Sequence, residues 1–494
     1  MNDPRIAAAL DWLGDASGAS MIGNAWVPAT RARPSLSPST GERIVDIALA
    51  GQGEVDAAVT AARGALAGDW ANALPAQRAR AMLRLADLID ANVDHIAVIE
   101  AADGVRPYVE ALYGDVPTGA AIFRHMAGLA GAIEGSIKYP SIGYAPPGTA
   151  VRAFADKVPV GVVAAIIPWN FPFVMACARV APALAAGCAV ILKPAEDASL
   201  SSLALAKLAI EAGFPPGVVN VVTGLGDEAG AALVRHDGTD MVSFTGSTRV
   251  GRDIGEICGR MLKKQSLELG GKCAAIVMDD ADIAAAAAGL AGAAFGNAGQ
   301  ICVAAARILV HRSVHDALVD ALSEIAAGKR TGGTFDADAT LGPIINAAQR
   351  DRIGDLLHDA GTAGATFSGP HGVDAPGFFV KPVIVSGLGA GARMHTEETF
   401  GPVVVVDSFD DLDDAIARAN ATPYGLAGSI WTQRWRDADR AARKLQAGTI
   451  YVNCHAWADP AVPMGGMKAS GIGVQSGREG LESYLMSKTT LALL

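Results

Sequence analysis

Between residues 160 and 260, short apolar runs alternate with stretches of helical periodicity, and this rhythm restricts the possible folds more than any other feature of the chain. "VGVVAAIIP" (160–168), "CAVILKP" (188–194), "VVNVV" (218–222) and "MVSFTG" (241–246) carry few polar residues, as strands buried on both faces do. A helical stretch follows each, over 173–186, 199–212, 227–236 and 248–260. The alternation predicts a doubly wound, mostly parallel sheet, whose ligands sit where loops leave the carboxyl ends of the strands. A second α/β series runs from "CAAIVMDD" (273–280) to about residue 453. Its strands are expected near 306–311, 379–385, 402–407, 427–431 and 449–453.

Two helical patterns precede the first sheet, and the second, "PAQRARAMLRLADLIDANVDHIAVIEAAD", opens with Pro75 at a first-turn position. Residues 139–157, "YPSIGYAPPGTAVRAFADK", break any helix and read as an extended arm. The tail "ESYLMSKTTLALL" alternates like a strand. Exposed edges at arm and tail call for partners, which predicts a homo-oligomer, a dimer or a tetramer.

Composition excludes several classes. With a net charge of −11 and no basic run interleaved with aromatics, the 494-residue chain carries no nucleic-acid footprint. The start lacks a basic segment followed by an apolar one, and the apolar runs are too short to span a bilayer, so a cytoplasmic protein without a membrane partner is expected. Six dispersed cysteines with no C-x-x-C, and nine histidines in no H-E-x-x-H, predict neither disulfides nor a metal site.

Candidate chemistry lies at the loops. Cys302, in "FGNAGQICVAAARILV", sits among small apolar residues, where a lone cysteine is most often core filling. Asn170 in "PWNFPF" lies between prolines, where a fixed amide can donate to a developing oxyanion, although Asn is also ordinary in turns. Glu268 in "LELGGK" is flanked by leucines; an apolar setting raises a carboxyl pKa toward that of a general base, unless the group is paired or capping. Lys193 and Glu196 in "ILKPAED" can clasp ribose hydroxyls or simply form an ion pair. A strict G-x-G-x-x-G is absent, but "GLGDEAG" and "GSTRVG" stand at successive strand–helix junctions, which favours a nucleotide over the sheet.

"PWNFP", "KPAE", "FTGSTRVG", "LELGGK", "GQICVA", "EETFGPV" and "PMGGMKASGIG" occur in the order and spacing of the aldehyde dehydrogenase superfamily, which the chain resembles over almost its whole length. The resemblance implies an α/β fold with a Rossmann-like cofactor domain (1–138 and 159–267), an α/β catalytic domain (268–477) and a small β oligomerisation element (139–158 and 478–494). It implies a hydrolytic, non-CoA-acylating enzyme in which Cys302 attacks an aldehyde as thiolate, Asn170 meets the oxyanion, and Glu268 activates the water that releases the acid. It also implies NAD as cofactor, with NADP use possible. Lys193 and Glu196 match the adenosine-ribose contacts, and Glu398 and Phe400 the nicotinamide contacts. Ile166, Pro168, Trp169, Gly226, Phe244, Gly246, Ser247 and Leu269 lie in matching cofactor-lining segments.

Pocket positions by the same resemblance are Phe171, Met175, Ala178, Ile301, Val303 and Trp457. They are apolar, and Ala178 is small where a large aromatic is common, so an aromatic or longer aliphatic aldehyde is expected. Two departures stand out. Gln475 replaces a family glutamate linked to proton relay, and Arg179 replaces a common lysine. A CoA-acylating enzyme is the alternative within the superfamily, disfavoured by Glu268. A catalytically idle binding or structural protein is the alternative outside enzymology, disfavoured by the joint presence of Cys302, Glu268 and Asn170.

Overall fold

The computed structural model describes residues 3–28, 30–140, 149–374, 377–389 and 391–493. Its first sheet has eight strands, and the five central ones are parallel: Val219–Val221, Ala189–Lys193, Val162–Ile166, Met241–Thr245 and Lys264–Glu268, in that spatial order. The hairpin Ala19–Ile22/Ala25–Pro28 flanks one side, and Gly471–Ile472 pairs antiparallel with Lys264–Glu268 on the other. The central strands are buried on both faces, which explains their apolar reading. Val163 and Ala165 pack with the helices Pro75–Ala91, Val116–Ala130 and Pro172–Ala186, whereas Val162, Ala164 and Ile166 face Val55, Ala58 and Leu233.

Register positions the site. Ile166 pairs with Lys193 and with Phe244, and Thr245 pairs with Glu268. The loops carrying "PWNFP", "PAE", "GS" and "LGG" therefore leave one rim of the sheet side by side.

The second sheet orders Thr366–Ser368, Val383–Ser386, Val403–Phe409, Arg307–His311, Ala274–Val277, Ala427–Trp431 and Thr449–Val452; all are parallel except the first. A third, three-stranded sheet joins Leu485–Leu493, Val151–Pro159 and Ser136–Lys138. Residues 141–148 of the expected arm lie outside the described residues.

Three expectations change in detail. The helical pattern opening at Pro75 divides into Pro75–Ala91 and Val93–Asp103, because the Asn92 side-chain amide donates to the Leu88 carbonyl at 2.8 Å and competes with the helix ladder. The strand expected over 379–385 divides around Pro382, which has no N–H to give: Phe379–Val380 pairs with Val373–Asp374, and Val383–Ser386 joins the large sheet. The helix expected over 227–236 begins as a π turn at Gly226–Gly230 and continues as Ala231–Arg235. Among the described residues no helix is long and apolar enough to cross a membrane.

Candidate active site

The helix Ile283–Phe295 delivers the chain to Cys302 through three successive left-handed residues, Asn297 (φ 49°), Ala298 (φ 50°) and Gly299 (φ 71°). Such a conformation costs about 1–2 kcal/mol per residue that has a Cβ, so something must hold it. At Gly299 a Cβ would stand 2.0 Å from the Gly401 carbonyl oxygen, which only glycine avoids. Gln300, fully buried, donates through Nε2 to the carbonyls of Asn297 and Pro343, both at 3.0 Å, and accepts from the Ile345 N–H at 3.0 Å. Asn297 donates to the Asn170 carbonyl at 3.0 Å, and Asn170 Nδ2 donates to the Gln300 carbonyl at 2.9 Å. The "PWNFP" loop and the Cys302 loop are thus stitched together. One N–H of the Asn170 amide is spent on this stitch, leaving the other for a ligand.

Sequence reasoning singled out neither Asn297 nor Gln300. The signal was present in "FGNAGQ", where Asn and Gly tolerate positive φ beside a cysteine.

Glu268 closes its strand with 4% of its surface exposed, and neither carboxylate oxygen meets a donor among the described residues. Burial pushes its pKa up to about 8, against the pull of Arg179. Arg179 is itself buried and donates to Thr245 Oγ1, on the residue paired with Glu268. Gln475 exchanges main-chain hydrogen bonds with Met464, and its Nε2 lies 3.6 Å from the Met464 sulfur. No hydrogen bond joins Arg179 to Gln475 among the described residues.

Cys302 keeps part of its surface open. Burial, then the neighbouring Cys273, Glu398 and Glu268, push its thiol up to about 12, while the Val303 N–H pulls the other way. Desolvation thus disfavours the thiolate form of the resting group. A small gap adjoins Cys302, bordered by Gly271, Ile301, Glu398 and Phe400 among others.

The rim residues suit a dinucleotide. Lys193 ends its strand 2% exposed, with Nζ 3.2 Å from Glu196 Oε2. At the far end of the rim the Gly271 N–H donates to Glu398 Oε1 at 2.8 Å. Glu398 also lies against bare glycine, since a Cβ on Gly270 would stand 2.4 Å from Oε2. The Phe400 ring meets Trp169 edge-to-face at 5.3 Å, just beyond Pro168. Ser247 caps the helix Thr248–Met261, its Oγ accepting from the Val250 N–H at 3.4 Å. Gly246 and Gly251 leave room for Phe244 and Leu269, whose side chains a Cβ would strike at 2.5 and 2.3 Å. Gly226 opens the π turn, and Ile166 ends the central strand.

Of the pocket candidates, Phe171, Met175 and Ala178 fall at helical spacing on one face, and the Arg106 guanidinium covers the Phe171 ring at 4.6 Å. Ile301 and Val303 share a small apolar cluster with Tyr451, Cys454 and Met464. Trp457 faces solvent, 76% exposed, with its carbonyl accepting from Tyr451 Oη at 3.0 Å.

A doubly wound sheet with a nucleotide rim, set against a second α/β sheet that presents a cysteine, is the architecture of a dinucleotide-dependent oxidoreductase. The model of the aldehyde dehydrogenase family matches residues 26–490, and the chain belongs to that family. It is 41% identical over 475 residues to the phenylacetaldehyde dehydrogenase of Pseudomonas fluorescens, covering 95% of this chain and 94% of that one. It is 38% identical over 464 residues to the mitochondrial benzaldehyde dehydrogenase of Antirrhinum majus, covering 93% and 86% respectively. The solved NAD+ complex of the Bacillus cereus aldehyde dehydrogenase superposes with a TM-score of 0.94 at 37% identity, covering 100% of this chain and 99% of that one. The chain is thus an NAD(P)-dependent oxidoreductase that acts on aldehydes.

Proposed function

We propose that this enzyme oxidises aromatic and hydrophobic aliphatic aldehydes to their acids, with Cys302 as nucleophile, Asn170 as oxyanion donor and Glu268 as general base. The observation that carries the reading is the stitch between the Asn170 and Cys302 loops, beside a buried carboxyl that meets no donor among the described residues. Cys302 Sγ adds to the aldehyde carbon while its proton passes to the ionised fraction of Glu268, which grows as pH approaches its pKa of about 8. The oxyanion takes the free Asn170 N–H and the Cys302 N–H. When bound, the nicotinamide supplies the hydride acceptor. Glu268 first releases the Cys302 proton to solvent and then takes one from water; the hydroxide attacks the Cys302 thioester, and the acid leaves as Glu268 returns its proton to the sulfur.

The substrate class rests on the apolar character of Phe171, Met175, Ala178, Ile301 and Val303, and it agrees with the two aromatic-aldehyde relatives. NAD is preferred over NADP because the Glu196 carboxylate, held beside Lys193, repels a 2′-phosphate. The three-part domain division that the resemblance implies is proposed for this chain. A dimer or tetramer is proposed because strand Leu485–Leu493 ends its sheet with Met486, Leu491 and Leu493 exposed. Six unbridged thiols agree with the reducing cytoplasm.

A panel of aldehydes followed by NADH absorbance tests the substrate reading. Benzaldehyde and hexanal are expected to show the higher kcat/KM, and an equal or better value for succinate semialdehyde overturns it. Product analysis with CoA present is expected to give free acid.

A further inference from the structure

His455, 6% exposed, stands at the end of a buried hydrogen-bonded chain that terminates on the nucleophile loop. Its Nε2 lies 2.8 Å from the Val303 carbonyl oxygen, and its Nδ1 lies 2.8 Å from Ser429 Oγ. A carbonyl only accepts, so Nε2 carries the proton and Nδ1 accepts from the Ser429 hydroxyl. Ser429 Oγ in turn accepts from Trp431 Nε1–H at 3.2 Å. Each proton in the chain has one place to go, which selects a single tautomer and ring orientation. Burial lowers the imidazole pKa to about 4, so the ring stays neutral over the working pH range.

A second side chain holds the preceding carbonyl. Cys273 Sγ donates to the Cys302 carbonyl at 3.7 Å, and a Cβ on Gly271 would stand only 2.4 Å from that same oxygen. The Cys302 carbonyl and the Val303 N–H belong to one planar peptide unit, and the Val303 carbonyl belongs to the next. Fixing both carbonyls fixes the main chain on either side of the peptide that follows Cys302.

We propose that His455 is a positioning residue for the nucleophile: by holding the Val303 carbonyl it fixes the main chain that sets where the Cys302 sulfur stands. The proposal rests on the reading of Cys302 as nucleophile. His455→Phe removes the donor, whereas His455→Gln retains an N–H that can reach the same carbonyl. The decisive readout is the pH dependence of Cys302 alkylation by iodoacetamide, located by peptide mass mapping, together with kcat, KM and Tm.

For His455→Phe the Cys302 alkylation rate is expected to fall about three- to tenfold across the accessible pH range, lowering the whole profile. Its kcat is expected to fall about tenfold, with KM changed less than twofold. His455→Gln should restore most of both. An unchanged alkylation profile in His455→Phe, with only Tm lowered, overturns the proposal and leaves His455 a packing residue. Should His455→Phe fail to fold, Ser429→Ala removes the donor to Nδ1 and releases the tautomer; it should shift the profile in the same direction, and an unshifted profile overturns the proposal equally. Cys302→Ser separates the two readings. Retained NAD-dependent turnover there defeats the nucleophile assignment itself, whereas an inactive Cys302→Ser beside a normal His455→Phe profile defeats only the role of His455.

Discussion

The side-chain amide of Asn297 donates to the main-chain carbonyl of Asn170 at 3.0 Å, joining residues 127 positions apart. The bond ties a loop of the nucleotide-binding sheet to the loop that carries Cys302. Asn170 answers with its own amide on the Gln300 carbonyl, so the proposed oxyanion donor and the proposed nucleophile are set by one another's backbones. Precise placement of this kind is what a preorganised electrostatic site requires.

Asn170→Ala removes both the free N–H proposed for the oxyanion and the bond to Gln300. Its kcat is expected to fall by about 10²–10³ with little change in NAD affinity. Steady-state rates together with coenzyme titration check this.

Glu268 has its pKa raised to about 8, so the ionised base is scarce below that value and abundant above it. Thioester hydrolysis in a single turnover should therefore rise about tenfold per pH unit below about 8 and level off above. Glu268→Gln should flatten this slope and slow hydrolysis by about 10²–10⁴, leaving a trapped acyl-enzyme visible by intact mass.

Glu100 is wholly buried and accepts from the Phe173 N–H at 3.2 Å, bracing the start of the helix behind Phe171. Burial, helped by Asp115, raises its pKa to about 8. A carboxyl raised in the folded state keeps its proton between its ordinary value and about 8, while the unfolded chain releases it. Its linkage therefore removes stability as pH climbs through that window. Glu100→Gln is expected to match wild-type Tm near pH 5 and to exceed it at pH 9 in parallel thermal melts.

Ala298 is held at φ 50°, where a Cβ costs about 1–2 kcal/mol. Glycine relieves this strain against an unfolded-state entropy penalty of about 0.5–1 kcal/mol. Ala298→Gly should consequently leave Tm unchanged or raise it. A clear drop in Tm would show that the Cβ packing, with Ala298 only 1% exposed, outweighs the strain.

Much of this was legible in the residues. The apolar runs 160–168, 188–194 and 241–246 became central strands because burial on both faces demands such composition, and Glu268 between leucines acquired the raised pKa that an apolar setting implies. The helix opening at Pro75 ends at Ala91, short of its periodic pattern, because the Asn92 side chain offers the Leu88 carbonyl a local partner that periodicity does not register.

Local pattern determined which segments become strands and helices, and which residue types stand at the ends of strands, because those depend on near neighbours. Tertiary structure alone decided what the side chains do there. The upward push on the Cys302 thiol, the lack of a donor to Glu268 among the described residues and the bond from His455 to a carbonyl 152 positions away arise from desolvation and from contacts between distant loops. Such contacts leave no periodic trace in the chain, since they are set only when the two sheets close on one another.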